Sequence, residues 1–147
     1  MKPVAKHPRA HRDYVILDRM EAGLALLGTE VKAARIGRVS IKEAYGRIKD
    51  GEAWLMNAYF GEYPPAGKAQ HDPQRKRKLL LHRRQILKLS AALRRKGTTL
   101  VPLRLYFNRR GILKAEMALA RGRPKYDRRE IIKKKEARRE MRKWVRR

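Results

Sequence analysis

The sequence predicts a mainly β domain, a small closed or partly open barrel with few helices, followed by a basic C-terminal tail. Three observations carry this. Six apolar runs have strand character, several with period-two alternation. One segment has clear helical spacing. Charge divides unevenly, with 26 basic and 10 acidic residues over 1–120 and 14 basic and 4 acidic over 121–147.

The six strand candidates are 14–17, 24–35, 44–49, 52–60, 98–107 and 112–119. In the last, Leu113, Ala115, Met117 and Leu119 alternate with Lys114 and Glu116. Asp50-Gly51 reads as a two-residue hairpin turn, and Asn108-Arg109-Arg110-Gly111 as a longer one. Pro102 has no N–H for a ladder, so its strand is expected at an edge or a bulge. Over 82–95, Ile86, Leu89 and Leu93 recur at helical spacing before a stop at Gly97. A short turn is expected from Ser40, with Glu43 at a capping-box position. Residues 65–78 read as one long loop. Short strands with few helices favour a barrel over a parallel sheet.

Residues 121–147 have too little apolar surface to offset their ordering entropy. The chain therefore divides into a body, 1–120, and a tail expected to be disordered alone. In the tail Ala137, Met141, Trp144 and Val145 would share one side of an ideal helix, so a polyanionic partner could induce helix there.

Of 147 residues, 40 are Lys or Arg and 14 are Asp or Glu, a net charge of +26. Such a chain repels itself unless a polyanion supplies counter-charge, which points to RNA or DNA. There are no cysteines, which excludes disulfides, thiolate metal sites and Cys nucleophiles. The longest apolar stretch, 22–28, falls short of the roughly 18 residues that span a bilayer, and the N-terminal segment lacks a signal-peptide pattern. A cytoplasmic protein is expected.

His7 and His11 have a metal-like spacing, but Pro8 interrupts the helix that spacing needs, so no metal site is assigned. His71-Asp72-Pro73 reads as a turn. With no phosphate loop, serine elbow or carboxylate cluster, neither an enzyme nor a cofactor is expected.

Binding candidates are clearer. Arg75, Lys76, Arg77, Lys78, His82, Arg83 and Arg84 concentrate cations where a loop enters a helix, whose N-terminal N–H groups also favour anions. Glu30 and Lys32, taken as strand residues, would share one face. Glu30 is either a salt-bridge partner for nearby cations or an acceptor that reads a base donor. Trp54, Phe60 and Phe107 are expected in the core, and Tyr126 and Trp144 as stacking residues of the tail.

Taken in order, these motifs resemble the small protein B family, the SsrA-binding proteins of bacterial trans-translation. The similarity runs through Arg9-Ala10, Asp13-Tyr14, Gly28-Thr29-Glu30-Val31-Lys32 with Arg35, His71-Asp72-Pro73, residues 77–82, Ala118 to Gly122 and Tyr126 to Glu130. Ala33 stands where the family commonly has Ser. The resemblance implies an OB-fold-like six-stranded antiparallel barrel with about three helices. It implies binding to the tRNA-like domain of transfer-messenger RNA, and delivery with elongation factor Tu and GTP to stalled ribosomes. The tail would enter the messenger channel past the 16S rRNA of the decoding centre. A monomer with no membrane role is expected.

The RNA-binding residues so assigned are Glu30, Lys32, Arg35, Arg75, Arg77, Lys78, His82, Arg83, Arg84, Arg121 and Lys125. The ribosome-binding residues of the tail are Tyr126, Arg128, Arg129, Lys133, Lys134, Lys135, Arg138, Arg139, Arg142, Lys143 and Trp144. The alternative is a generic OB-fold ribosomal or initiation-type RNA-binding protein.

Overall fold

The computed structural model describes residues 3–123 and Arg138. In chain order the strands are β1 (Pro3–Lys6), β2 (Tyr14–Leu24), β3 (Val39–Ser40), β4 (Tyr45–Lys49), β5 (Glu52–Met56), β6 (Tyr59–Phe60), β7 (Arg77–Leu80), β8 (Thr98–Phe107) and β9 (Leu113–Gly122). The helices are α1 (Ala10–Asp13), α2 (Gly28–Arg35) and α3 (Arg83–Ala92), with a 3₁₀ turn at Pro64–Ala66.

All strand pairs are antiparallel, and neighbours run β8-β4-β5-β7-β2-β9, with β9 pairing back onto β8. The ring is uneven. β2–β9 and β8–β9 are long ladders, whereas β4 meets β8 through the single pair Gly46↔Leu100. The result is a partly open six-stranded barrel, with β1 added beside β4 on the same edge of β8. Inward-facing Ala22, Leu24, Ala53, Leu55, Leu79, Leu100, Leu105, Ala115 and Met117 fill it, and Ile41, Phe60 and Leu89 complete the core.

Local chemistry explains most elements. Asp50 and Gly51 take positive φ, 53° and 76°, the conformation that lets two residues join β4 to β5 in a right-twisted hairpin. The Asn108 side-chain Oδ1 accepts from the N–H groups of Arg110 and Ile112 at 2.9 Å and shapes the second hairpin. Pro102 sits at a bulge opposite β9, not at an edge. The helix expected over 82–95 is α3, with the Gln85 side chain accepting from the His82 N–H at 3.0 Å.

The strand expected over 24–35 is not one. It splits after Leu24 into the end of β2 and helix α2. Glu30, Lys32, Ala33, Ala34 and Arg35 are good helix formers, and only Val31 in that stretch favours a strand through its branching. The helix closes with a Schellman pattern, Arg38 N–H to the Ala33 carbonyl at 2.9 Å and Gly37 N–H to Ala34 at 3.1 Å. The barrel still has six strands, because β7 emerges from the end of the expected 65–78 loop. The 52–60 run is two strands, β5 and β6, separated by Asn57 at φ 58°. The turn expected from Ser40 is present, with Ala44 N–H bonded to the Ile41 carbonyl.

β9 runs to Gly122, two residues beyond the expected body boundary. Arg123 N–H then bonds the Asp13 carbonyl at 2.8 Å, and its Nε the His11 carbonyl at 3.2 Å. The chain thus leaves the barrel beside α1.

Candidate nucleic-acid interface

Helix α2 lies against the mouth of the barrel, where the 61–76 loop meets β7. That loop is tied down by polar contacts. His71 is buried; its Nε2 lies 2.7 Å from the Phe60 carbonyl and its Nδ1 2.8 Å from the Thr29 hydroxyl. A carbonyl only accepts, so Nε2 donates there and Nδ1 is left to Thr29. The Gln70 side chain pairs with both backbone groups of Tyr63, at 2.7 and 3.1 Å. Asp72 accepts from the Gln74 N–H, the expected turn.

Glu30 is the centre of this region and has no exposed surface. Its Oε1 accepts from the Leu27 N–H at 2.8 Å, which caps α2, and from Arg75 Nη2 at 2.5 Å. Its Oε2 takes Arg77 Nε at 2.6 Å and Nη2 at 2.5 Å. Arg77 is equally buried. It also donates to the carbonyls of Ala58, Asp72 and Pro73 and stacks over the Phe60 ring at 4.4 Å. Burial alone would raise the Glu30 pKa, but the Arg75 and Leu27 donors and the Arg77 charge outweigh it and hold it below the usual carboxylate value. Burial pulls the Arg77 guanidinium down, against the push of Glu30.

Of the two readings open for Glu30, the salt bridge is the arrangement present. A carboxylate with both oxygens saturated and no exposed surface offers nothing to a base. Arg77 likewise faces inward. The remaining assigned side chains of the body are on the surface: Lys32, Arg35, Arg83, Arg84, Arg121 and His82 are exposed, and Arg75 and Lys78 partly so. Lys32 lies 5.4 Å over the Tyr63 ring and Arg35 5.4 Å over Phe107. Lys78 pairs with Glu52 at 3.3 Å. Arg138 is exposed; Lys125, Tyr126, Trp144 and the other tail residues assigned above lie outside the described residues.

Sequence reasoning missed cations that only strand pairing brings together. Arg104 reaches Glu116 at 2.7 Å and lies 4.5 Å over the Tyr106 ring, and Arg19 reaches the same carboxylate at 3.5 Å. With Lys6, His7 and His11 these two arginines line a shallow cavity of about 450 Å³. The Tyr106 hydroxyl donates to Glu21 behind it, and burial with that bond pushes its pKa up to about 12. Burial lowers the pKa of His7.

Trp54 corrects the expected core. Phe60 is fully buried and Phe107 packs on the core, but Trp54 points outward from β5, partly exposed beside Arg47 and Lys78. A signal existed: the hairpin turn and buried Ala53 and Leu55 set the parity that turns Trp54 out.

A small antiparallel barrel whose surface is studded with Arg and Lys, in a chain of net charge +26, belongs to the class of polyanion-binding β-barrel proteins. More particularly, the chain belongs to the SmpB protein family, whose model matches residues 4–147. It is 51% identical over 142 residues to the SsrA-binding protein of Sulfurihydrogenibium sp. (strain YO3AOP1), covering 97% of this chain and 93% of that one. Against the SsrA-binding protein of Thermobifida fusca (strain YX), identity is 51% over 146 residues, 99% and 91% of the two chains. A solved chain from "tmRNA-SmpB: a journey to the center of the bacterial ribosome" superposes with a TM-score of 0.70 at 44% identity, over 86% of this chain and 92% of that one.

Proposed function

We propose that this protein binds the tRNA-like domain of transfer-messenger RNA and delivers it, with elongation factor Tu and GTP, to stalled ribosomes. It acts there as a monomeric cytoplasmic binding factor and not as an enzyme. The observation that carries this is near-full-length identity of about half to SsrA-binding proteins, in a chain that keeps the cationic barrel surface. Among the described residues no helix is long and apolar enough to cross a membrane.

The residues divide by task. Lys32, Arg35, Arg75, Lys78, His82, Arg83, Arg84 and Arg121 supply donors and charge for RNA phosphates. Glu30 and Arg77 hold α2, β7 and the 61–76 loop so that Arg75 is presented in one place. The body, through the end of β9 and Arg123, stands in for an anticodon arm. The tail beyond it enters the empty messenger channel, with Tyr126 and Trp144 stacking there and its cations on 16S rRNA.

Purification of the full chain from lysate, followed by sequencing of bound RNA, tests this. Transfer-messenger RNA should dominate, and a tRNA-like transcript should outcompete duplex RNA of equal length. Recovery of ribosomal RNA alone would favour a ribosomal or initiation-type role.

A further inference from the structure

On the outward face of the β4–β5–β7 sheet, Lys78 alone has an assigned role. Pairing places Arg47 opposite Trp54, and Trp54 opposite Lys78, with Tyr45 opposite Met56 at one end. The inward residues of these strands, Gly46, Ala53, Leu55, Arg77 and Leu79, are buried, whereas Tyr45 and Arg47 are exposed and Trp54, Met56 and Lys78 partly so. Lys76 reaches in from the preceding loop and holds its Nζ 4.5 Å over the Trp54 ring.

The geometry points to Trp54 as a stacking platform for an unpaired RNA base, flanked by Arg47, Lys76 and Lys78 as phosphate ligands. The inference rests on the RNA-binding reading above and adds a site to it. Trp54 is partly exposed on an outward strand position, and the part of its ring left open offers a flat apolar face. Three cations around one ring match the alternation of base and phosphate along a single strand. Asp50 stays in the turn, and Glu52 bonds Lys78 at 3.3 Å in an exposed ion pair, weak enough for a phosphate to replace. Lys76 is a placeholder: the contact of an exposed lysine with a ring is weaker than base–aromatic stacking, so a base displaces it and Lys76 moves to the phosphate.

The test uses the full chain with Trp144→Phe, which leaves Trp54 as the single tryptophan, and a transcript of the tRNA-like domain. Trp54 emission should be quenched saturably by the RNA. Trp54→Leu should weaken binding roughly 5- to 150-fold, with Trp54→Phe retaining most of it. The slope of log affinity against log salt should not change in Trp54→Leu, because no cation is lost, whereas Lys78→Ala should lower it by about one. Circular dichroism melting confirms that the variants fold. Unchanged emission at saturation, or Trp54→Leu binding as tightly as its parent, overturns the site, as does quenching by an acidic peptide but not by RNA. Failure of the parent protein to bind the transcript is a separate result, and it overturns the function on which the site rests.

Discussion

Glu30 and Arg77 show what one buried ion pair does in so basic a protein. Desolvation opposes burying either charge, and the pair persists because both carboxylate oxygens are saturated and the guanidinium is shared among several acceptors: Glu30 takes four donors and Arg77 reaches three carbonyls, with only the Nε of the neighbouring Arg75 buried without a partner. Removing Arg77 strips both donors from the Glu30 Oε2 in the interior and leaves only Arg75 and the Leu27 N–H on Oε1, while neutralising Glu30 leaves the buried Arg77 charge without its carboxylate. Arg77→Met should therefore cost about 3–5 kcal/mol, read as a fall of at least about 10 °C in melting temperature. Glu30→Gln should lower both stability and RNA affinity, since Arg75 loses its anchor; an unchanged melting curve with weakened binding would instead restore direct base reading by Glu30. The pH dependence has a definite sign. Because the folded-state pKa of Glu30 lies below its ordinary value of 4.5, its contribution is complete above that value and is lost as pH falls through the depressed one. Urea titrations of wild type and Glu30→Gln should differ most near neutrality and converge in acid.

At the scale of elements, the weakest seam of the barrel is the single β4–β8 pair at Gly46 and Leu100. A Cβ built on Gly46 would lie 2.4 Å from Leu100 Cδ2 and 2.6 Å from Cγ, so the leucine fills the space a side chain would need. Gly46→Ala should cost about 1–3 kcal/mol through overpacking, and Leu100→Ala about 2–5 kcal/mol through its cavity. The double variant should cost less than their sum, because the new methyl occupies the vacated space; strict additivity in denaturant titrations would contradict the contact. Elements with strong local signals were legible before folding: the Asp50-Gly51 hairpin, the Asn108 loop, β8, β9 and α3. Helix α2 was not. Its apolar residues are compatible with a half-buried strand as well as a helix, and its Schellman stop depends on carbonyls that only a formed helix offers. β7 was hidden because Arg77, an inward residue, broke the apolar alternation that marks a strand.

For the whole molecule, charge sets the behaviour. At net +26 RNA affinity should fall steeply with salt; with six to ten phosphate contacts, raising salt from 50 to 200 mM costs roughly 10³ to 10⁵ in affinity. Filter binding across that range checks the slope. Under the proposed division of labour, truncation after Asp127 should spare binding of the tRNA-like transcript while abolishing peptide tagging on stalled ribosomes, measured in one preparation. The sequence by itself determined the charge, the antiparallel β class, the hairpins, the parity of most strands and the family resemblance, because these depend on residue type and near neighbours. Tertiary structure alone decided that Glu30 and Arg77 face each other across 47 residues, that Lys6, Arg19 and Arg104 share one cavity, and that β9 pairs along β2 while β4 meets β8 to complete the barrel's ring of pairings. Those contacts join segments distant along the chain, and no local propensity encodes which of forty cations will find the buried carboxylate of Glu30.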